Sequence, residues 1–279
     1  MKTFTKECRW GTFLLLKGDL ISVYADMYGE WSEMEVKLFR KILTPQSNVV
    51  EIGANLGLHT VPLAKTAAKG SVICFEPQRI LFQMLCANAA INDLTNVFAY
   101  RAAVSDSGRE TRIQSSDYET PWNYGSFSIE TGMSAEGRFP GDVTMESVKV
   151  VSLDAFTPAN ELASLNLLKI DAELHEIAVL RGAERLIKRH RPVIFVENNK
   201  EQNGDALIEA VKDLGYSPFW FCSKRFQPDN FNKVGFELPG ADTNMVCFPE
   251  GENPVRGLAP AKHFSELAEG KVPLVAHIA

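Results

Sequence analysis

At 279 residues, 45% of them hydrophobic and 23% charged, the chain has an ordinary globular composition that suits one large α/β domain or one domain with additions. A formal net charge of −6 argues against a basic, nucleic-acid-binding surface as its main business. Its five cysteines, Cys8, Cys74, Cys86, Cys222 and Cys247, form no C-x-x-C pair, the apolar run at residues 13–16 is too short for a signal peptide, and no stretch approaches a membrane span. Reduced thiols in a cytoplasmic protein are the expectation.

Residues 1–47 read as a flank. Strand-like segments at 12–17 and 20–24 are joined at Lys17-Gly18-Asp19 as a hairpin, and a helix over 33–42 follows Ser32 as N-cap. From residue 48 strands and helices alternate. Strands are predicted at 48–52, 71–76, 96–101, 166–170, 192–197, 217–222 and 243–248, with helices at 58–68, 79–91, 175–189 and 204–214. That order predicts a mostly parallel sheet covered on both faces. Pro62 near the first turn of its helix costs little, because its missing N–H has no intrahelical partner there.

A long insert, 105–156, carries alternating segments at 110–114, 126–130 and 148–153, read as extra strands over the carboxyl edge of the sheet, where ligands bind. The basic cluster Arg185, Lys188, Arg189, His190 and Arg191 closes a predicted helix and complements its dipole. Residues 250–279 read as a tail with a short helix near 264–268.

The most informative stretch is Val49-Val50-Glu51-Ile52-Gly53-Ala54-Asn55-Leu56-Gly57-Leu58-His59-Thr60, a buried strand, a tight turn and a helix start. Nineteen residues past Gly57, Glu76 ends a second apolar strand, where one carboxylate can accept hydrogen bonds from both hydroxyls of a ribose. The turn is G-x-N-x-G. It lacks the G-x-G-x-x-G that brings a pyrophosphate onto a helix N-terminus, which disfavours a nicotinamide-dependent oxidoreductase.

E-x-G-x-N-x-G followed by an acid one strand later resembles the S-adenosylmethionine site of class I methyltransferases. Lys169-Ile170-Asp171-Ala172-Glu173-Leu174-His175-Glu176, then Val179-Leu180-Arg181-Gly182-Ala183 and a strand ending Val196-Glu197, resembles the FkbM family of O-methyltransferases across residues 31–249. The resemblance implies a Rossmann-like domain over 48–249 with its last strand antiparallel, S-adenosylmethionine as cofactor, and a hydroxyl of a sugar or secondary metabolite as acceptor. It places Glu51, Gly53, Ala54, Asn55 and Gly57 at the cofactor's amino-acid portion, Glu76 and Pro77 at the ribose, and Arg101, Ala102 and Ala103 at the adenine. His59 and Thr60 become cofactor-side contacts, and Asp171 falls beside the transferred methyl. A cofactor-binding partner protein without catalysis is the competing reading. The family glycine is Leu174 here, strained if the position needs a positive φ.

An alcohol must lose its proton as it attacks, and His175, four residues past Asp171, is the leading base. Asp171 has a second reading as the N-cap of the helix that follows. Asp171 with Glu197 and Asn198 also resembles the ligand set of Mg²⁺-dependent O-methyltransferases, in which the ion lowers the acceptor's pKa. The metal-free mechanism, with His175, Asp171 and Glu197 as catalytic residues, is the expectation.

Overall fold

The computed structural model describes residues 1–133, 137–252 and 255–278. Its N-terminal part is β1 (Thr3–Cys8), β2 (Gly11–Leu16), α1 (Leu20–Tyr28) and α2 (Glu33–Ile42). The α/β succession follows as β3 (Val49–Ile52), α3 (Thr60–Thr66), β4 (Val72–Phe75), α4 (Arg79–Ile91) and β5 (Val97–Tyr100). The insert contributes β6 (Ala102–Val104), β7 (Arg109–Ser115) and β8 (Thr144–Val151), and a short α5 (Thr157–Asn160) leads back to β9 (Leu167–Ile170). Next come α6 (Glu176–Arg181), α7 (Glu184–His190), β10 (Val193–Glu197), α8 (Glu201–Asp213), β11 (Tyr216–Lys224) and β12 (Ala241–Pro249), and finally β13 (Ala259–Pro260) and α9 (Ser265–Ala268).

The main sheet has the order β13-β11-β12-β10-β9-β3-β4-β5. β5, β4, β3, β9 and β10 are parallel, and β12 pairs antiparallel with both β10 and β11. β3, β4 and β9 are buried at every residue, as near-continuous apolar strands must be when helices cover both faces. One face packs on α6, α7 and α8 through Leu180, Leu186, Ile187 and Leu207. The other packs on α2 and α3 through Leu38, Phe39 and Leu63. Among the described residues, no helix is long and apolar enough to cross a membrane.

The N-terminal expectation needs correction. The hairpin is β1–β2, closing at Arg9 and Trp10, and Leu20–Tyr28 is a helix. Asp19 is no turn residue: its carboxylate accepts from the Ser22 N–H at 2.8 Å as an N-cap, and Gly29 closes the helix at φ 69°. Ser32 lies at the head of α2 with φ 42° but makes no side-chain cap; its hydroxyl hydrogen-bonds Asp242. The helix expected over 175–189 breaks at Gly182. A Cβ there would stand 2.0 Å from the Ser105 carbonyl, and the Asp154 carboxylate caps α7 at the Arg185 and Leu186 N–H groups, each at 2.9 Å.

In the insert, the first and third predicted strands form β7 and β8, joined by β6 in a three-stranded sheet. The middle segment is not a strand: Tyr124–Ser126 is a 3₁₀ turn, followed by a tight Ser128–Gly132 bridge. In the C-terminal segment, β13 pairs with β11, and the Phe264 ring lies 6.3 Å from that of Trp220. Of the basic cluster, Lys188, Arg189 and His190 end α7 as expected and Arg191 follows it, lying over the Tyr216 ring at 4.7 Å, whereas Arg185 stands in the first turn of α7 beside Asp154.

Because Asp19 holds both α1 and the Tyr124 N–H of the insert, Asp19→Ala is expected to cost on the order of 1–2 kcal/mol of stability, with Asn largely restoring it. Denaturant unfolding measures this. Equal stability of the Ala variant would remove the cap from the account.

Candidate active site

Parallel pairing aligns the carboxyl ends of the central strands, with Ile52 opposite both Phe75 and Ile170, and Ile170 opposite Val196. Between β3 and β9 the order of connection reverses, the switch point at which such sheets leave a crevice. A cleft of about 1210 Å³, its mouth included, opens there.

The β3–α3 turn forms the floor. Gly53, at φ 76°, passes so close to β9 that a Cβ would meet the Asp171 carbonyl oxygen at 1.8 Å. Asn55 takes φ 52°, a left-handed conformation that Asn tolerates better than most residues, and its N–H donates to Glu76 at 2.9 Å. The other Glu76 oxygen accepts from the Gln78 N–H at 2.8 Å. Burial pushes the Glu76 carboxyl up to about 7, opposed by those two backbone donors. Each oxygen keeps a lone pair, and Glu76 lines the cleft, so this pair of acceptors fits a vicinal diol.

Most residues assigned to the cofactor reach this cleft. Glu51, Gly53, Ala54, Asn55, His59, Glu76, Pro77, Ala102 and Ala103 all line it. Three do not. Gly57 supports the turn at φ 92° against Leu85, the Thr60 hydroxyl is spent on Glu51 at 2.6 Å, and Arg101 turns away to Glu146 at 2.7 Å. Ala102 and Ala103 belong to a strand, β6, which carries Arg101 toward the insert.

The opposite end is acidic. Asp171, Glu173 and Glu197 bring their carboxylates within 4.8 Å of one another. Lys169, only 2% exposed, sends its ammonium to 3.5 Å from Glu51 and 3.6 Å from Asp171, whose side chain is 41% exposed. Burial works against the Lys169 charge, yet Asp171, Glu51, Glu35 and Glu197 hold it above the ordinary lysine value. Burial raises Asp171 too, with Lys169 pulling it back, and burial plus Glu173 and Asp171 pushes Glu197 well up. Burial and Lys169 keep His59 neutral, its Nε2 3.6 Å from Glu35.

Several of these groups were not foreseen. Trp31 and Glu35 enter from the start of α2, Lys169 from β9, and Arg225, Asp242 and Asn244 from β11–β12. Arg225 donates to Asp242 at 2.7 Å and lies over the Trp31 ring at 5.0 Å. Asn244 donates to Glu35 at 3.0 Å. From the insert, Phe127 and Ile129 add an apolar wall.

His175 lines the cleft, but both ring nitrogens are engaged, Nδ1 with Glu130 at 3.2 Å and Nε2 with Ser105 at 2.9 Å. It is also the residue at the head of α6, so Asp171 does not cap that helix. The alternative Mg²⁺ set of Asp171, Glu197 and Asn198 is not assembled as such: Asn198 points away, donating to the Gly204 carbonyl at 3.2 Å, and the carboxylate beside Asp171 and Glu197 is that of Glu173. Leu174 does adopt φ 73°, after Glu173 at φ 43°.

With this geometry in place, the comparisons decide the family. Residues 51–218 match the model of the methyltransferase FkbM domain. The chain belongs to that family. It is an S-adenosylmethionine-dependent methyltransferase, and neither the oxidoreductase nor the non-catalytic reading is favoured. The FkbM chain is 26% identical over 203 residues to methyltransferase sdnD of Sordaria araneosa, covering 61% of this chain and 75% of that relative. It is 24% identical over 149 residues to methyltransferase 1 of Beauveria bassiana, covering 50% of this chain and 59% of the relative. A solved methyltransferase FkbM from Methylobacillus flagellatus aligns with a TM-score of 0.44 at 15% identity, over 74% of this chain and 44% of the other.

A ribose seated at Glu76 would donate its hydroxyls to the ionised carboxylate. S-adenosylhomocysteine affinity is therefore expected to be full above about pH 7 and to fall as pH drops below it. Glu76→Gln should flatten that profile and cost roughly 1.5–3 kcal/mol of binding, read by calorimetry. A Gln variant that keeps both affinity and profile would exclude the ribose contact. Leu174→Gly should relieve about 1–2 kcal/mol of left-handed strain against about 0.5–1 kcal/mol of added chain entropy, a small net stabilisation visible in thermal unfolding.

Proposed function

We propose that this methyltransferase acts on a hydroxyl of a sugar or secondary metabolite, with Asp171 accepting the hydroxyl proton. The observation that carries the reading is the Asp171 carboxylate, open to the cleft directly beside the Gly53 turn and held there by the buried Lys169 ammonium.

S-adenosylmethionine, when bound, supplies a methyl group on a sulfonium, displaced in line by the acceptor oxygen. The chain's task is then to align that oxygen and take its proton, and alignment alone can carry about 7–11 kcal/mol of such a barrier. A base adds roughly 10²- to 10⁴-fold, most when its pKa is raised toward the working pH, the direction in which burial shifts Asp171. Glu197, pushed well above the usual carboxylate range, is suited to donate a hydrogen bond to another acceptor oxygen. His175, tied at both nitrogens, holds the insert wall in place.

The surroundings favour a neutral, hydroxylated acceptor. The nearby cations Lys169 and Arg225 are each committed to carboxylates, so a phosphorylated or polyanionic acceptor would meet uncompensated acids. Trp31, Phe127 and Ile129 offer apolar faces of the kind on which a sugar ring or a polyketide-like body can lie.

Purified protein incubated with labelled S-adenosylmethionine and a panel of small hydroxylated metabolites should label oxygen. Asp171→Asn should slow turnover by on the order of 10²-fold or more, His175→Asn far less, and excess chelator should leave the rate unchanged. Methylation restricted to amines or carbon, or a fully active Asp171→Asn enzyme, would overturn the reading.

A further inference from the structure

We infer that Lys169 is a positioning residue for methyl transfer: its buried ammonium fixes the Asp171 carboxylate at the mouth of the cleft and supplies the charge that lets Asp171 and Glu51 stand side by side. The inference rests on the reading of Asp171 as the proton acceptor.

Asp171 stands one residue past β9, where its N–H still donates to the Ile52 carbonyl, so residues 169 and 171 share one face of the sheet, and residue 51 of β3 is the direct lateral partner of Lys169. The Lys169 ammonium thus has one neighbour on the adjoining strand and another at the end of its own, at 3.5 and 3.6 Å. Burying an ion pair stabilises a fold weakly at best, and apolar residues of similar size commonly do as well. A lysine that is 2% exposed is therefore poorly explained by stability alone. What distinguishes it is that, although both partners line the cleft, one is shut off from solvent while the other is exposed to it. The Glu51 side chain is 1% exposed and already accepts from Thr60, whereas that of Asp171 is 41% exposed.

Every element packed around Asp171 adds charge to the balance. Glu35 comes from α2, Glu197 from β10, Asp242 from β12, and Glu173 and Glu176 from the turn into α6. On the cationic side stand Lys169, Arg225, already held by Asp242, and Lys200, 4.0 Å from Glu173, while His59 at the head of α3 is kept neutral. Without Lys169, Asp171 would face several acids across a low-dielectric cleft with its nearest cation gone. Its proton would then be held more tightly, and its side chain would lose the contact that fixes its direction.

The test compares wild type with Lys169→Met, which keeps the apolar volume and removes the charge. In the unliganded protein, the ¹³C carboxyl resonance of Asp171, assigned with Asp171→Asn, should titrate roughly one to three units higher in the Met variant. S-adenosylhomocysteine affinity should stay close to wild type by calorimetry while kcat falls on the order of 10²-fold. Should the single variant fail to fold, Glu51→Gln combined with Lys169→Met removes the orphaned buried charge and carries the same carboxyl titration. An unmoved Asp171 titration in a folded variant overturns the inference. So does a collapse of S-adenosylhomocysteine affinity with kcat preserved, which would make Lys169 a cofactor ligand. A fully active Asp171→Asn enzyme would instead defeat the reading of Asp171 as base, while the titration still decides whether Lys169 governs that carboxyl.

Discussion

Placing an ammonium between two strands of an otherwise apolar sheet is tolerable only if carboxylates meet it there, and Lys169 has Glu51 and Asp171 within 3.6 Å. At an effective dielectric near 20, each such contact is worth on the order of 4–5 kcal/mol gross, most of it offset by desolvation. The asymmetry matters more than the net. Removing one partner leaves a buried charge uncompensated, at a cost of about 3–5 kcal/mol. The two strands that meet at the switch point are thereby held in the register that leaves the crevice open, and the backbone contact of Gly53 with Asp171 depends on that register.

The insert is tied to this floor by polar links rather than by packing alone. Gln78, two residues past Glu76, donates to the Tyr124 carbonyl at 2.8 Å and accepts from Tyr118 at 3.1 Å. Glu130 reaches His175 at the other end. A wall anchored at both ends of the cleft can carry Phe127 and Ile129 over the acceptor side without disturbing the sheet. That arrangement sets the insert apart from the strands and turns that form the floor of the cleft.

Much of this was legible in the chain, because strongly periodic segments report burial directly. The helix expected over 79–91 coincides with α4, and the central strands were displaced by a residue or two at most. The N-terminal error came from letting Lys17-Gly18-Asp19 signal a turn when Leu20, Ile21, Tyr24, Ala25 and Tyr28 repeat at helical spacing behind an Asp cap. Around the site, neighbours in sequence were found and neighbours only in space were not. Glu76, Asp171 and Glu197 end apolar strands, where an acid stands out. Glu35 and Arg225 are brought in by packing of distant elements and carry no local mark. Asp242 and Asn244, polar at alternate positions where an apolar strand begins, could have been read as facing a site. The bonding of His175 at both nitrogens could not, since Glu130 and Ser105 come from the insert.

Two successive left-handed residues, Glu173 at φ 43° and Leu174 at φ 73°, are the point at which local preference and the site disagree. For non-glycine residues this conformation costs about 1–2 kcal/mol each, and it persists only where the surroundings dictate it. Here they do. The turn must carry the chain from the end of β9 to α6 while turning the Glu173 carboxylate back to within 4.8 Å of Asp171 and Glu197, and the Leu174 carbonyl is held by Asn203 at 3.2 Å. A relaxed turn would swing Glu173 out of the acidic cluster, weakening the field that raises Glu197. The strain at residues 173 and 174 is thus the local cost of gathering three carboxyl groups at one end of the cleft, where burial and the neighbouring Glu173 push Glu197 well above its ordinary value.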